Sequence, residues 1–425
     1  MDVFMKKMIY DRLIAREASL AVIGLGYVGV PVALKFARYF DVVGYDRDAG
    51  HIEELRKMYG DGCGSIRFTS SEEALSQAAF YIVTVPTPVD ARKEPDLTCL
   101  IEATRTVARY LKRGDYVVYE STVYPGCTEQ ECVPLLEKGS RLKLGGDFKV
   151  GYSPERINPN DSEHTFSNTS KIVSANDEEA LNQIARVYAE AVSATLCKAS
   201  GIRVAEAAKM VENVQRCVNI ALMNELQRLF SCMGIDMGEV IDAASSKWNF
   251  VKYRPGLVGG HCIPVDPFYL VSAASKLGVE MPVTSSGCAV NDGMAAYVVR
   301  SLLSAMRRDR HGARALLMGV TYKENIDDIR NSRVADMVGL LEREGISVDV
   351  TDPCAGPDKV YDMYGIRLVP ALQPPYDLII VAVAHDAYRG FDDAYFRSIS
   401  RGPALLGDIR GLYKGRIESL GYWSL

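Results

Sequence analysis

The feature that most restricts the fold is a strand–turn–helix–strand pattern in residues 19–46. A short apolar run, SLAVI, precedes the turn GLGYVG at residues 24–29, and a helical pattern of apolar residues follows it. A second apolar run, VVGY, ends at Asp46. A βαβ unit with a GxGxxG turn is typical of dinucleotide binding, because the pyrophosphate can approach the helix N-terminus. The pattern therefore predicts an N-terminal Rossmann domain in an α/β protein.

The glycine turn and the acid after the second strand define a predicted cofactor site. Gly26 lets a pyrophosphate approach the backbone, and Gly29 lets the helix pack close to the strand. Asp46, about 20 residues further on, is expected to accept hydrogen bonds from the adenosine ribose and to repel a 2′-phosphate, which favours NAD over NADP. The alternative is a glycine-rich turn without a ligand. The predicted cofactor contacts of this unit are Gly24, Gly26, Tyr27, Val28, Gly29 and Asp46.

Later apolar runs end in proline-containing segments with polar side chains. FYIVTV ends at Pro86 and Thr87, and YVVYE leads to Thr122. Ligands gather at the carboxyl ends of the strands of a doubly wound sheet, so we expect these three residues to contact the nicotinamide half of the cofactor. Such loops also serve simply to terminate strands. A further run, VGY, leads to Glu155, a candidate acid, base or water-orienting group, and then to Arg156.

A long helix is predicted over residues 202–233, which contain no glycine or proline and carry apolar residues at helical spacing. Glu206, Lys209, Asn213 and Arg216 form one polar stripe on it, since steps of three and four residues stay on one face. A stripe of this kind is often a solvated face. A helix of this length between two domains could also supply a dimer contact.

The segment at residues 253–270, YRPGLVGGHCIPVDPFYL, contains a candidate nucleophile. Two glycines before His261 and Cys262 would let the backbone come close to a ligand. A thiol becomes nucleophilic when its surroundings favour the thiolate, so the groups around Cys262 decide its use. Asp266 lies about one helical turn further on, near enough to orient a water or a basic partner. The alternative is that Cys262 is a small buried apolar residue.

The last part of the chain returns to an α/β pattern without the glycine turn. Apolar runs near residues 314, 348, 377 and 404 predict parallel strands, with Ser332 as the cap of the helix after the first of them. Their ends carry cations that suit an anionic or hydroxylated ligand. Residues 56–70 show no clear periodicity and are interpreted as a surface loop. The predicted domains are residues 1–198, 199–308 and 309–425, and the predicted cations are Lys323, Arg330 and Arg410.

Composition excludes several classes of protein. A chain of 425 residues is too long for one core. A net charge of -5 lacks the basic footprint of general nucleic-acid binding. Charged residues interrupt the first 18 positions and no apolar run reaches the length of a membrane span, so we expect a cytoplasmic protein. The ten cysteines form no CxxC pair, which predicts reduced thiols and no metal, although Cys127 and Cys132 are close enough in sequence to allow one.

Taken together, these motifs resemble the UDP-glucose/GDP-mannose dehydrogenase family over nearly the whole chain. The resemblance rests on residues 24–29, 85–88, 121–123 and 154–156, on Lys209 with Asn213, on the Cys262 segment with Asp266, and on Lys323 with Arg330. It implies an NAD-binding Rossmann domain, a central helical region that forms a homodimer, and a C-terminal Rossmann-like domain for the UDP part of the substrate.

The resemblance also implies a reaction and roles for particular residues. The family oxidises a primary alcohol of a nucleotide sugar by four electrons with two NAD, and Cys262 matches the cysteine that forms a thiohemiacetal and then a thioester. Lys209 matches the lysine that stabilises the oxyanion, with Asn213 as its helix partner. The remaining catalytic matches are Asp266 as an acid/base partner of water and the lysine, Glu155 as the general base, and Thr122 as the holder of the catalytic water.

Further matches concern binding. Arg330 matches a cofactor contact from the second domain and Lys323 a substrate contact, while the turn after Arg254 would line the nucleotide-sugar pocket. The expected product is a uronic acid for surface polysaccharide precursors. The predicted substrate-binding residues are Glu155, Arg156, Lys209, Asn213, Tyr253, Arg254, Gly256, Gly260, Lys323 and Arg410.

Departures from the pattern narrow the expected substrate. UDP-glucose members of the family usually have a small residue before the cysteine and a lysine before the aspartate, where this chain has His261 and Val265. Residues 157–160, INPN, also lack the second acid of those members. These features resemble the branch that acts on UDP-N-acetylhexosamines. Within that branch, residues 246–250, SKWNF, through residues 254–256, RPG, resemble the members that act on UDP-N-acetylglucosamine, which is the expected substrate. The galacto epimer and UDP-glucose remain alternatives.

Two other functional classes compete with this interpretation. A two-electron hydroxyacid dehydrogenase also has a Rossmann domain and a helix with Lys and Asn four residues apart, but it has no need of the Cys262 segment or of a second α/β domain. A sensor that binds NAD or a UDP-sugar without turnover would not require Cys262, Lys209 and Glu155 together.

Overall fold

The computed structural model describes residues 7–60, 65–90, 92–155, 165–306 and 310–425. The chain divides into two compact units. The first contains Met1–Glu212 and Phe268–Val279, and the second contains Asn213–Pro267 and Glu280–Leu425. The predicted domain limits stay a prediction, and the predicted boundary at 308/309 lies outside the described residues.

The described part of the first unit is built on an eight-stranded sheet. Its strands are β1 (Ser19–Ile23), β2 (Val42–Tyr45), β3 (Ile66–Thr69), β4 (Ala78–Val83), β5 (Tyr116–Tyr119), β6 (Lys149–Tyr152), β7 (Lys171–Ala175) and β8 (Leu196–Lys198). Their spatial order is β3-β2-β1-β4-β5-β6-β7-β8, and all neighbours run parallel except β6 and β7. The strand order reverses between β1 and β4, which is where ligands bind in doubly wound sheets.

Helices cover this sheet and build its core. They are α1 (Ile9–Ile14), α2 (Gly29–Phe36), α3 (Ala49–Tyr59), α4 (Thr98–Tyr110), α5 (Val133–Ser140) and α6 (Glu178–Ala191), with shorter helical turns at Glu72–Gln77 and Thr128–Cys132. Apolar side chains of α2 and α6 pack on the sheet, where Phe36 meets Tyr188 edge-on at a centroid distance of 5.4 Å. The predicted βαβ unit is present, with α2 beginning at the last glycine of the turn.

The prediction of a surface loop over residues 56–70 was wrong for most of its described residues. Helix α3 continues to Tyr59, and β3 occupies Ile66–Thr69. Ile66 and Phe68 are buried while Arg67 is exposed. A four-residue strand between polar residues gives almost no periodic signal, and its pairing with β2 comes from the tertiary fold. Residues 61–64 lie outside the described part of the chain.

The central part of the sequence is helical. Helix α7 spans Ile202–Met233, as predicted, and at about 1.5 Å per residue it is about 48 Å long. Its first residues belong to the first unit and the rest to the second. The helices that follow are α8 (Met237–Ala244), α9 (Asp266–Lys276), α10 (Pro282–Asp292) and α11 (Met294–Ala305). None of the described helices is both long and apolar enough to cross a membrane.

The second unit contains a parallel sheet of the predicted Rossmann-like type. Its described strands are β9 (Arg314–Met318), β10 (Ser347–Thr351), β11 (Tyr376–Val381), β12 (Ser400–Asp408) and β13 (Gly421–Ser424), in the order β10-β9-β11-β12-β13. The helices are α12 (Arg333–Arg343), α13 (Pro357–Tyr364) and α14 (Asp393–Ile399), with a short turn at Asp386–Tyr388. Ser332 caps α12 as predicted, since its hydroxyl accepts the Val334 N–H. The predicted α/β fold class is confirmed.

Candidate functional site

The glycine turn after β1 combines one closely packed glycine with one that faces open space. A Cβ atom on Gly29 would lie 1.8 Å from the Gly24 carbonyl oxygen, whereas a Cβ on Gly26 would meet no atom within 4 Å. The Asp46 carboxylate accepts the Leu25 N–H at 2.8 Å and so fixes the turn to the end of β2. The turn therefore leaves room beside Gly26, where the pyrophosphate of NAD is expected, and its residues fit the cofactor.

The loops after β4 and β5 are tied to each other. Thr87 donates its hydroxyl to the Thr122 carbonyl at 2.7 Å, and Ser121 donates to the Val85 carbonyl at 2.7 Å. Tyr269, a fully buried residue that sequence reasoning missed, donates to the Thr87 carbonyl at 2.8 Å. The fold thus brings together Thr87 and Thr122, two of the residues predicted to contact the cofactor.

The polar stripe of α7 is mostly buried, which sequence spacing left open. Glu206, Lys209 and Asn213 are buried and Arg216 is exposed. The Glu206 carboxylate accepts the N–H groups of Gly126, at 2.5 Å, and Thr128, at 3.0 Å. Glu206 thereby anchors to α7 the loop that follows Thr122. Burial raises the pKa of Glu206, although the hydrogen bonds from this loop oppose the rise.

Glu155 is held through both its main chain and its side chain. Lys209 donates to the Glu155 carbonyl oxygen at 2.7 Å, while the Glu155 carboxylate accepts from Lys171. The same ammonium lies 3.2 Å from Glu120, another buried acid. Sequence reasoning gave no role to Lys171 or Glu120, because pairs 16 and 51 residues apart leave no local pattern. Arg156 lies outside the described residues.

The two glycines before the cysteine serve packing within the second unit. Gly260 has a φ of +85°, and a Cβ placed there would lie 2.7 Å from the Tyr322 ring. Its N–H donates to the Arg330 carbonyl at 3.2 Å, and its carbonyl accepts from the Asn331 side chain at 2.9 Å. The glycine pair thus allows a close approach of the loop after β9. The expectation that a ligand approaches the backbone at these glycines stays a prediction.

Cys262 follows this turn and is partly buried. Its carbonyl accepts the N–H of Asp266, the first residue of α9, at 2.8 Å. The side-chain amide of Asn213 donates to the Asp266 carboxylate, and both side chains are buried. The second unit therefore brings together Asn213 and Asp266, whereas Lys209 and Glu155 meet in the first unit.

His261, the residue before Cys262, is paired with an acidic side chain of the second unit. Its Nε2 lies 3.1 Å from the Asp328 carboxylate, which also accepts from the Arg330 guanidinium at 2.9 and 2.7 Å. Burial would raise the pKa of Asp328, but the hydrogen bonds from His261 and Arg330 outweigh it and hold the pKa well below its usual range. Arg330, a predicted cofactor contact, is thus oriented by an acid two residues before it.

The predicted substrate segment before the cysteine is fixed by a buried amide. Asn224 donates to the Gly256 carbonyl at 3.1 Å and accepts the Gly256 N–H at 2.8 Å. A Cβ on Gly256 would lie 3.5 Å from Arg410, so two predicted substrate residues are neighbours. Arg254 pairs with Asp242 at 3.3 Å.

Two further predicted substrate residues occupy separate places in the second unit. Tyr253 packs against the apolar cluster of Met223, Met237 and Ile241. Lys323 lies in the loop after β9, where its carbonyl accepts the hydroxyl of Thr321 at 2.8 Å.

Among the described residues, Asp352, Cys354 and His385 bring three possible metal ligands within 4.8 Å. The imidazole is already engaged, because His385 Nδ1 accepts the Asn325 N–H at 3.0 Å and Nε2 lies 3.2 Å from Asp352. Both Asp352 oxygens accept main-chain N–H groups as well. A metal would have to displace these bonds, so the group fits a structural role better.

Comparison with known proteins agrees with the order of these sites along the chain. Three domains of the UDP-glucose/GDP-mannose dehydrogenase family match in succession. The NAD binding domain matches residues 18–192, the central domain residues 203–293, and the UDP binding domain residues 316–415.

Individual relatives match along most of their length. The UDP-N-acetyl-D-glucosamine 6-dehydrogenase of Pseudomonas aeruginosa is 45% identical, over 93% of this chain and 97% of the relative. The enzyme of the same name from Salmonella typhi is 44% identical, over 93% and 96%. The solved UDP-D-ManNAc dehydrogenase of Pyrococcus horikoshii is 28% identical, with a TM-score of 0.87 over 96% of this chain and 98% of that one.

These matches confirm the predicted family, the NAD cofactor and the class of enzyme. They also confirm the predicted architecture of an NAD-binding domain, a central helical domain and a UDP-binding domain. The chain belongs to the UDP-glucose/GDP-mannose dehydrogenase family and is an NAD-dependent nucleotide-sugar dehydrogenase.

Proposed function

We propose that this chain oxidises C6 of UDP-N-acetylglucosamine to the uronic acid in two successive steps, through a covalent intermediate on Cys262. The named UDP-N-acetyl-D-glucosamine 6-dehydrogenases share 44–45% of their residues with it over nearly their whole length, whereas the UDP-D-ManNAc enzyme shares 28%. His261 and Val265 beside the cysteine and aspartate also favour the N-acetylhexosamine branch. UDP-N-acetylgalactosamine and UDP-glucose are the alternative substrates.

The observation that carries this proposal is the burial of Lys209 and Asn213 on consecutive turns of α7. A buried ammonium and a buried amide are expensive unless they have partners, and each has one. Lys209 contacts the Glu155 carbonyl, and Asn213 contacts the Asp266 carboxylate. Both hydrogen bonds hold donors of the predicted oxyanion site in fixed positions, as electrostatic catalysis requires.

In the first oxidation, the C6 hydroxyl gives its proton to a base and its carbon-bound hydrogen leaves as hydride, which produces an aldehyde. Bound NAD supplies the hydride acceptor in this step and in the second oxidation. Cys262 then attacks the aldehyde, so that a sulfur–carbon bond forms and the carbonyl oxygen becomes an oxyanion. The ammonium of Lys209 and the amide of Asn213 stabilise this oxyanion before it is protonated.

Loss of the second hydride converts the thiohemiacetal on Cys262 into a thioester, with the hydroxyl proton passing to the base. A water held by Thr122 attacks the thioester carbonyl and gives a proton to Glu155, and the sulfur–carbon bond breaks. The acid so formed gives its proton to the Cys262 sulfur and leaves as the carboxylate, and Glu155 releases the proton that it took from the water. Asp266 serves as the acid/base partner of the water and of Lys209. The covalent bond keeps the half-oxidised sugar in the site.

The competing two-electron function predicts a different stoichiometry. Limiting UDP-N-acetylglucosamine with excess NAD is expected to yield two NADH per sugar and a uronic acid, identified by mass spectrometry. One NADH per sugar would reject the covalent four-electron scheme in favour of a simple dehydrogenase. Turnover of UDP-N-acetylgalactosamine or UDP-glucose alone would keep the mechanism and reject the proposed substrate.

The exposed face of α7 supports a homodimer as part of this proposal. The exposed apolar residues of α7 follow one another at intervals of 7, 11, 7 and 4 residues. Because an α-helix turns by about 100° per residue, these intervals keep the side chains within roughly 40° of one line along the helix. A second copy of the chain would cover this line, which otherwise exposes apolar surface to water. The exposed fractions are 52% for Val204, 60% for Val211, 48% for Leu222, 52% for Leu229 and 60% for Met233.

The cytoplasmic location stays a prediction. We further propose that the uronic acid product serves surface polysaccharide synthesis, since it remains attached to UDP and is thus activated for transfer.

A further inference from the structure

A buried ionic network lies behind Glu155 in the first unit. Lys171 is the first residue of β7, Glu120 directly follows β5, and Tyr188 belongs to α6. The side chains of Lys171, Glu120 and Glu155 are 4%, 0% and 9% exposed, so solvent screens their charges little. Groups this deeply buried are retained in a protein only when they are paired.

Every proton of the Lys171 ammonium has an acceptor. One acceptor is the Glu155 carboxylate, the second is Glu120 at 3.2 Å, and the third is the Pro154 carbonyl at 3.4 Å. An ammonium has three donors, so these contacts fix its orientation. The other oxygen of Glu120 accepts the Tyr188 hydroxyl. The Glu155 side chain is therefore fixed by a cation that is fixed itself.

The charges of this network oppose one another. Lys171 stabilises ionised Glu155, whereas the second carboxylate, Glu120, repels it and competes for the same ammonium. Burial raises the pKa of Glu120, and Lys171 offsets this only in part. Burial alone would lower the pKa of Lys171, but Glu120 and Glu155 outweigh it and raise that pKa.

Within the part of the chain that the structure describes, the other elements packed around the network add one cation and two aromatic rings. Lys209 of α7 contacts the main chain of Glu155. The rings of Phe166 and Tyr188 lie 5.0 and 5.5 Å from the Lys171 ammonium.

From this geometry we infer that Lys171 and Glu120 are positioning residues of the dehydrogenase reaction, with Lys171 orienting the Glu155 carboxylate and Glu120 competing for the same ammonium. The inference rests on the proposed function, in which Glu155 takes a proton from the water that attacks the thioester. Neither residue needs to touch the substrate. Because each carries a charge close to Glu155, removing either charge is expected to change the pH dependence of the hydrolysis step.

The test compares two substitutions with opposite expected effects on the pH profile of kcat. Lys171→Met removes the cation and should move the acidic limb to higher pH, by about 1 to 3 pH units. Glu120→Gln removes the competing charge but keeps a hydrogen-bonding group, and should move the limb to lower pH. Lys171→Arg keeps the charge and should restore the limb toward its original place. The KM for NAD should be little changed in all three.

A matched control is available on the next strand. Lys149 of β6 pairs with Asp177 at 2.7 Å outside this network, and Lys149→Met should leave the limb in place. The inference would be overturned if the acidic limb of the kcat profile stayed in place in both Lys171→Met and Glu120→Gln. It would also be overturned if the limb moved in the same direction in both variants. If Lys171→Met does not fold, the inference is tested with Glu120→Gln and Lys171→Arg. An acidic limb that stays in place in Glu120→Gln would also overturn the inference.

The wild-type reaction separates this inference from the proposed function. A wild-type enzyme that forms fewer than two NADH per sugar would reject the proposed function itself. Two NADH per sugar together with unmoved limbs would reject only the role of Lys171 and Glu120.

Discussion

Two glycine-to-alanine substitutions in the turn after β1 should have opposite consequences, although they add the same methyl group three residues apart. Gly29→Ala should damage the fold and Gly26→Ala should damage NAD binding alone. The difference follows from the surroundings of the two positions, since one faces the Gly24 carbonyl and the other faces open space.

The cost of Gly29→Ala can be worked out from one distance. The new carbon would lie 1.8 Å from the Gly24 oxygen, which is 1.6 Å short of an ordinary contact at 3.4 Å. That oxygen belongs to the backbone and cannot rotate away, so α2 must move relative to β1. We expect the upper end of the overpacking range, about 3 kcal/mol. For a unit of this size, about 3 kcal/mol corresponds to a fall in Tm of about 6 to 12 °C.

Gly26→Ala has no such cost. The free protein should be as stable as the wild type, or more stable by about 0.4 to 1 kcal/mol, because alanine restricts the unfolded chain. The methyl group would instead hold the pyrophosphate away from the main-chain N–H groups. Losing one charge-assisted hydrogen bond costs about 1.5 to 3 kcal/mol, which weakens NAD binding roughly 10- to 100-fold.

Thermal unfolding of each variant with and without NAD measures both effects, and calorimetric titration gives the Kd. The expected result is a normal Tm with weak NAD binding for Gly26→Ala and a lowered Tm for Gly29→Ala. Normal NAD affinity in Gly26→Ala would refute the placement of the pyrophosphate at this turn.

Three further substitutions test the proposed site and the dimer. Cys262→Ser should bind NAD and the sugar nucleotide but stop before the carboxylate; release of acid at the normal rate would reject the covalent scheme. Lys209→Met should lower kcat by about 10²- to 10³-fold, the usual loss for an oxyanion donor, with normal NAD binding as the control for folding, and an unchanged kcat would exclude that role. Leu229→Glu should give monomers in analytical ultracentrifugation, whereas Leu277→Glu, at a position 79% exposed but off the α7 line, should leave the dimer intact. A monomeric wild type would contradict the proposed dimer.

The sequence alone predicted the structural elements that are determined by the spacing of neighbouring residues along the chain. The βαβ unit and the full extent of α7 follow from spacing and turn residues, and the structure has both. Strand β3 was missed because it has only four residues, and one of them, Arg67, is exposed. These residues are held in a strand by their pairing with β2. Local patterns predict elements, whereas an edge strand depends on its neighbour.

The candidate site was predictable in its residue types but not in its contacts. Spacing placed Lys209 and Asn213 one turn apart, but it could not decide whether that face was solvated. The contacts of Lys171 and Glu120 with each other and with Glu155 could not be predicted from spacing, since only the sheet brings the residue after β5 and the first residue of β7 together. A buried cation at the start of an apolar strand is the one local signal that could have prompted a search.

The turn at residues 259–262, called here the cysteine turn, packs closely against the loop after β9, and this contact has a consequence for protein engineering. Gly259 and Gly260 leave space for Tyr322 and for little else, and the main chain of Gly260 bonds both Arg330 and Asn331. A chimera that takes its C-terminal domain from another member of the family must therefore inherit the cysteine turn from the same parent. Recombination between these two segments would separate residues that pack closely against each other, so we expect the two segments to be exchanged together.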